Sequence, residues 1–243
     1  MIKRLLDIAI SLIGLICFSP ILFFVSILVW SNDKKSPFYI PPRVGKKGTI
    51  FYMIKLRSMV VNADKAGIDS TSNNDLRITP IGQKIRKYKL DELTQLWNVL
   101  LGDMSLVGPR PNVKAEVDLY TDVEKELLSV KPGITDFSSI VFSDEGKILE
   151  NKEDPDLAYN QLIRPWKSRL GLIYIKHQSI LLDIEIIIYT LVALISKRKA
   201  LNWVSKKLEN LEADQNLVNI SKREIELFPH SPPGSDFVVT SRK

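Results

Sequence analysis

The chain has 243 residues, 45% of them apolar, with 34 Lys and Arg against 28 Asp and Glu for a formal charge of +6. These proportions exclude a disordered or collagen-like chain and suit one domain, with or without appendages. A single cysteine, Cys17, closes no intramolecular disulfide, and with only His177 and His230 besides there is no Cys/His zinc cage, so carboxylates, cations and backbone must carry the chemistry.

The charge is unevenly spread: residues 1 to 60 hold nine Lys or Arg against Asp7 and Asp33 alone. From Ile8 to Trp30 there are 23 residues without a charge. As a helix such a stretch reaches about 34 Å, enough to cover a bilayer core. It exceeds the apolar region of a secretory signal and no small-x-small cleavage pattern follows it, which points to a retained membrane segment. Pro20 removes one backbone donor and crowds the carbonyl of Ile16, so a kink is expected near residues 16 to 20, where Ser19 offers the chain a hydroxyl. Lys3 and Arg4 precede the segment, and Lys34, Lys35, Arg43, Lys46 and Lys47 follow it. The positive-inside rule therefore assigns both flanks to the same side. Two topologies stay open: a helix-break-helix that enters and leaves on the cytoplasmic face, and a tilted span kinked at proline.

Beyond it, Ser36-Pro37-Phe38 and Pro41-Pro42 are extended or turn chemistry, and Gly45-Lys46-Lys47-Gly48 predicts the tip of a hairpin running into Thr49 to Ile54. Residues 62 to 77 are polar and turn-rich and predict a mobile surface loop. In Lys89 to Leu101 the apolar Leu90, Leu93, Trp97 and Leu100 recur at helical spacing, with Asp91, Gln95 and Asn98 on the opposite, polar face. Gly102 is expected to end this helix, and Gly108-Pro109-Arg110-Pro111 to form a rigid turn from which Arg110 projects. Asp91 falls in the first turn, where unpaired amides and the dipole favour an ionised carboxylate; acids there commonly serve helix stability alone. Lys84, Arg86 and Lys87 directly precede it and can either pair the acids or bind a phosphate.

The run Asp91-Glu92-Leu93, Gln95-Leu96, Asn98-Val99-Leu100 and Gly102-Asp103-Met104-Ser105-Leu106-Val107-Gly108-Pro109-Arg110-Pro111 resembles the core of the bacterial sugar transferases. These are the monotopic phosphoglycosyl transferases, or undecaprenyl-phosphate sugar phosphotransferases, that begin polysaccharide and glycoconjugate assembly. Lys3-Arg4 with Asp7, Ser19-Pro20, Ser36-Pro37-Phe38, Lys55-Leu56-Arg57-Ser58-Met59, Lys131-Pro132-Gly133-Ile134-Thr135, and the late Tyr174, Ser179, Leu182-Asp183 and Thr190 extend the resemblance over about residues 1 to 197.

The resemblance implies an α+β, mainly helical monotopic membrane protein with a re-entrant helix over residues 1–35, a small β-hairpin and interfacial amphipathic helices. A catalytic domain over 36–199 would lie on the cytoplasmic face of the bacterial inner membrane, and 200–243 would be an extension without a counterpart. The implied reaction moves a sugar 1-phosphate from a UDP-sugar to polyprenyl (undecaprenyl) phosphate and releases UMP. By the same resemblance Asp91 is a carboxylate nucleophile that forms an aspartyl-phosphosugar, Glu92 assists it, and Mg²⁺ binds at Asp91. Arg86 and Arg110 balance phosphate charge, with Lys55 and Arg57 as weaker candidates. Two positions depart from the common pattern without removing a functional group: Thr94 stands where many members carry proline, and Lys89 where a small hydroxyl residue is common. After Thr135 the chain continues Asp136-Phe137-Ser138-Ser139 where many members have Gly-Trp-Ala-Gln, which leaves the donor sugar open.

The segment Ile180 to Ile195 is short for a span and contains Asp183 and Glu185, each costing about 2.5 to 3.5 kcal/mol at the centre of an inserted helix. An interfacial or core-packed helix is expected, with 180, 184, 187, 188, 191 and 195 on one face and Lys197-Arg198-Lys199 near headgroups. The tail from residue 200 starts as a further helix and breaks at Pro229 and Pro232-Pro233-Gly234; it could serve a partner or a homo-oligomer. Two other functions compete. A membrane-anchored scaffold without catalysis would have no reason to keep Asp91, Glu92, Arg86 and Arg110 together. A nucleic-acid partner, suggested by a pI near 9.2, is disfavoured because the excess charge flanks the membrane segment and no base-reading motif occurs.

Overall fold

The computed structural model describes residues 1–66 and 70–241. Residues 67–69 of the loop expected over 62 to 77 lie outside the described residues. In chain order the elements are α1 (Ile2–Asp33), β1 (Phe38–Tyr39), β2 (Pro42–Val44), β3 (Ile50–Tyr52), β4 (Lys55–Leu56), α2 (Pro80–Lys87), α3 (Leu90–Leu93), α4 (Leu96–Leu101) and β5 (Ser105–Val107). Then follow α5 (Lys114–Val117), β6 (Gly133–Thr135), α6 (Phe137–Val141), α7 (Glu145–Ile148), α8 (Pro155–Leu162), α9 (Arg164–His177), α10 (Ile180–Ile195), α11 (Lys197–Asn210) and α12 (Gln215–Lys222). The protein is mainly helical, and its strands form three two-stranded ladders.

Helix α1 is, among the described residues, the one helix long and apolar enough to cross a membrane. It stays helical through Pro20, so the proline does not interrupt the secondary structure. The missing proline N–H would leave the carbonyl of Ile16 without its helical donor, and the Ser19 hydroxyl donates to that carbonyl at 2.9 Å. Lys34 ends the helix in the left-handed conformation, its N–H returning to the Trp30 carbonyl at 2.7 Å.

Both halves of α1 pack on the rest of the chain. Asp7, Ser11 and Leu15 are buried along its first half, and Val25 and Val29 join Leu56 and Ile85 in a small second core. Ile16 to Ile21 between them stay exposed. Long-range polar contacts fix the two ends. Lys3 Nζ donates to Asp183 Oδ2 at 2.6 Å and to the Val107 carbonyl at 3.1 Å. Arg4 caps the end of α4 by donating to the carbonyls of Val99 and Leu100, and Asp7 accepts from the Ser105 hydroxyl at 3.1 Å and the Leu106 amide at 3.0 Å. At the other end Arg57 grips both oxygens of Asp33, at 2.5 and 2.7 Å, and donates to the Ser36 carbonyl.

The expected hairpin is present as β2 and β3, paired antiparallel with Arg43 opposite Phe51. Strands β5 and β6 run parallel, with Ser105 opposite Gly133 and Val107 opposite Thr135. Their backbones approach so closely that a Cβ on Gly133 would stand 2.1 Å from the Gly108 nitrogen. Only glycine fits there, and the contact fixes the start of the Gly108-Pro109-Arg110 turn.

The main core gathers Val99, Met104, Val107, Phe137, Ile140, Leu149, Trp166, Leu170, Tyr174 and Ile186. It continues without a break into Ala200, Leu201, Val204, Leu208, Leu217, Val218 and Ile220, so α11 and α12 are built into the body that α1, α4 and α9 form. The tail beyond them returns over α9: Phe228 and His230 pack edge-on against Trp166, and the carbonyls of Ser231 and Pro233 accept from Arg169 and Thr121. On α10 the buried positions are Leu182, Asp183 and Ile186, while Leu181, Ile184, Ile188, Leu191, Leu194 and Ile195 form an exposed apolar stripe. Both acids of this helix are paired, Asp183 with Lys3 and Glu185 with Lys207.

Candidate active site

The periodicity of residues 89 to 101 is realised as two short helices joined through Thr94 and Gln95, which keep right-handed helical backbone. The expectation for their two faces holds in part: Leu90, Leu93 and Leu100 are half-buried, but Trp97 is not, and the polar face is not the solvated one. Gln95 and Asn98 are buried, each 1% exposed, whereas Trp97 and Leu101 are exposed. Asn98 turns inward because it has backbone to satisfy. Asn98 accepts from the Ile54 amide at 2.8 Å and donates to the Tyr52 carbonyl at 2.7 Å. The Thr94 hydroxyl lies 3.0 Å from both the Ile54 and the Asp91 carbonyls.

Asp91 and Glu92 occupy the first turn of α3, behind Lys89 in the left-handed conformation. Their surroundings differ. Glu92 takes Arg110 Nη2 at 3.0 Å and has Lys89 Nζ at 3.8 Å. Burial pushes its carboxyl up, but Arg110, Lys89 and Lys55 outweigh that and lower it to about 2. Asp91, 14% exposed at its side chain, makes no side-chain hydrogen bond among the described residues, and its one ion-pair partner there is Lys55 Nζ at 3.9 Å. One carboxylate of the dyad is held by an arginine and the other keeps its lone pairs for something else.

Of the four cations expected from the sequence, three are brought to the dyad, unequally. Arg110 leaves the turn after β5 to meet Glu92, which raises its guanidinium further above its ordinary value. Lys55 opens β4 and reaches Asp91; burial lowers its ammonium to about 8, against the opposing pull of Asp91. Arg86, near the end of α2, donates Nε to the Ser58 hydroxyl at 2.9 Å. Burial lowers it, and Asp91 is the acid that opposes this most. Arg57 is not brought to the dyad, since its guanidinium is engaged by Asp33 and Ser36 at the end of α1.

Three further residues complete the charge pattern. Lys89 is legible in hindsight from its spacing to Glu92, i to i+3 on a helix. Glu145, which acts on Arg110, and Lys167, which pairs with Glu145, come from α7 and α9 with no local signal to announce them. The described residues contain no group of three or more His, Cys, Asp and Glu able to hold a metal ion. The donor set is the dyad alone, one or two carboxylates. That suits Mg²⁺, which keeps waters and shares its remaining positions with substrate phosphate, and does not suit an all-protein cage.

Residues 1–197 match the family of bacterial sugar transferases. Among similar proteins, the galactosyl transferase CpsE of Streptococcus agalactiae is 38% identical over 201 residues, covering 78% of this chain and 41% of the relative. The UDP-glucose:undecaprenyl-phosphate glucose-1-phosphate transferase of Klebsiella pneumoniae is 34% identical over 192 residues, 77% of this chain and 39% of the relative. The undecaprenyl-phosphate galactose phosphotransferase of Salmonella typhimurium is 41% identical over 149 residues, 55% of this chain and 31% of the relative. The matches thus span between 31% and 41% of these longer proteins. The chain belongs to the bacterial sugar transferase family.

Proposed function

We propose that this chain is a phosphoglycosyl transferase that moves a sugar 1-phosphate from a UDP-sugar to polyprenyl phosphate in two displacements at Asp91. The observation that carries the reading is the unequal dyad: an Asp91 carboxylate without a hydrogen bond among the described residues beside a Glu92 fixed by Arg110, within a cluster of Lys55, Arg86 and Arg110. A nucleophile needs accessible lone pairs, and a group that orients a phosphate needs to be held.

In the first displacement an Asp91 oxygen bonds to the donor's β-phosphorus while the bond from that phosphorus to the UMP oxygen breaks. UMP leaves with the electron pair and the sugar phosphate stays on the carboxylate. In the second, an oxygen of polyprenyl phosphate attacks the same phosphorus, the Asp91–phosphorus bond breaks and the carboxylate is restored. Arg110 and Lys55 stand where they balance charge gathering on the equatorial phosphoryl oxygens, and Arg86 lies on the Asp91 side for a second phosphate. Mg²⁺, held by Asp91 and shared with the diphosphate, would supply further neutralisation there.

The same reading makes α1 re-entrant, bent near Pro20, with the catalytic domain on the cytoplasmic face of the bacterial inner membrane. Its support is geometric. A helix that crosses a bilayer delivers its ends to opposite faces, yet here Lys3, Arg4 and Asp7 at one end and Asp33 at the other are bonded to one folded body. The exposed middle of α1 and the exposed stripe of α10 offer the lipid-facing surface such a protein requires. Two of the longer relatives, from Salmonella typhimurium and Klebsiella pneumoniae, are named for sugar phosphate transfer to undecaprenyl phosphate, which supports this reaction class.

The test is a panel of UDP-sugars offered to the protein in detergent micelles with Mg²⁺ and undecaprenyl phosphate. One or more donors should release UMP in an acceptor-dependent manner. Absence of UMP with every donor, from protein that is folded and monodisperse, would leave the scaffold reading in its place.

A further inference from the structure

Lys55 reaches Asp91 from a strand of two residues, too short to hold its own position. What holds it comes from the helix pair that carries the dyad. Asn98 binds the Tyr52 carbonyl and the Ile54 amide, and Thr94, 2% exposed, places its hydroxyl 3.0 Å from both the Ile54 carbonyl and the Asp91 carbonyl. The residue after Ile54 is Lys55, and the residue whose carbonyl shares the hydroxyl is the proposed nucleophile. One side chain therefore touches the backbone of the nucleophile and of the residue that precedes Lys55.

The result is a separation of 3.9 Å between Lys55 Nζ and Asp91 Oδ2. At that distance the ammonium still acts electrostatically on the carboxylate but makes no hydrogen bond with it. A shorter contact would occupy the lone pairs that the reaction uses, and a longer one would remove the cation from the phosphoryl group in transfer. We propose that Thr94, with Asn98, is a positioning residue that sets this separation by clamping the Tyr52–Lys55 segment to the helix of the nucleophile. The inference deepens the proposed function and rests on it. The hydroxyl belongs to this chain's own pattern, since proline at 94 would supply none.

Thr94→Val keeps the shape and removes the hydroxyl, and Thr94→Ser keeps the hydroxyl and removes the methyl. Acceptor-dependent UMP release should fall about tenfold in kcat for Thr94→Val, with the donor KM within about twofold of the parent. Thr94→Ser should recover most of that loss. A second arm needs no turnover: labelling with an amine-reactive reagent at one fixed pH, with Lys55 quantified by peptide mass spectrometry, should run faster in Thr94→Val than in the parent and Thr94→Ser. Equal Lys55 labelling in Thr94→Val and the parent overturns the clamp, as does parental kcat in Thr94→Val or a loss that serine does not recover. A parent that releases no UMP from any donor sinks the reaction reading, and the labelling arm still decides the clamp.

Discussion

Two arginine–glutamate pairs in this protein have the same chemistry and opposite settings. Glu124 and Arg164 are 0% and 2% exposed at their side chains and carry further bonds: Arg164 also donates to Asn160 and the Leu119 carbonyl, and Ser168 donates to Glu124. Glu92 and Arg110 meet through one contact of 3.0 Å, 17% and 30% exposed, beside an Asp91 carboxylate with no hydrogen bond among the described residues. A buried pair bonded on all sides by its own fold ties the 119–129 segment to α9. A half-open pair that leaves a second carboxylate unsatisfied is set for a ligand that brings its own negative charge.

That contrast separates two kinds of loss. Glu92→Gln should remove most turnover, about 10²- to 10³-fold in kcat, because Arg110 loses the anion that orients it, while the thermal midpoint in micelles changes little. Glu124→Ala should do the reverse, costing about 3 to 5 kcal/mol of stability by leaving the Arg164 charge buried and unpaired. A lower midpoint for Glu92→Gln than for Glu124→Ala would invert the assignment of structural and functional pairs.

A third, smaller effect follows from Lys55. Burial brings its ammonium down to about 8, so it is charged below that value and neutral above it. Turnover that uses the cation should decline as the pH rises through about 8, and Lys55→Arg, which stays charged, should carry activity to higher pH. The sign for stability is opposite: from about 8 up to the ordinary lysine range the unfolded chain binds a proton the native one has released, so this group makes the fold more stable as pH rises there. An alkaline decline identical in the parent and Lys55→Arg would assign the limb to another group.

The smallest expected change concerns α1. In a Cys17→Ser background, cysteines placed at Ile2 and Lys35 should be labelled from the same, cytoplasmic side. Pro20→Ala should shift part of the population towards a span, since it restores the N–H that the Ile16 carbonyl lacks. Labelling of the two positions from opposite sides in the parent would restore a spanning helix and contradict the pinned ends.

What could be read in advance follows from how local each signal is. The apolar α1, the β2–β3 hairpin with its Gly45 to Gly48 tip, and the stop at Gly102 are encoded within a few residues. The expected apolar face of α10 is met in part: positions 184, 188, 191 and 195 are exposed, 180 and 187 are half-exposed, and Leu181 and Leu194 join the exposed stripe. The inward turn of Gln95 and Asn98 was not legible, because a polar face reads as solvated until its backbone partners at Tyr52 and Ile54 are known. Nor were Lys3 with Asp183 or Asp7 with Ser105, which join residues about 180 and 98 positions apart. Strands of three residues such as β5 and β6 carry too little periodicity to announce a parallel pair. Arg57 illustrates the converse: a basic motif next to Lys55 suggested a phosphate ligand, and tertiary structure pairs it with Asp33.

The central claim is that Asp91 becomes covalently bonded to the sugar phosphate. It is tested most directly by mixing the parent and Asp91→Asn with Mg²⁺ and a UDP-sugar carrying a radiolabelled β-phosphate, chosen as a donor the parent turns over, in the absence of acceptor. The parent should retain up to one label per chain, release an equal amount of UMP and lose the label on addition of undecaprenyl phosphate, and Asp91→Asn should retain none. A parent that turns over fully with acceptor yet holds no label without it would show direct transfer from donor to lipid, and would return Asp91 to the role of a metal ligand.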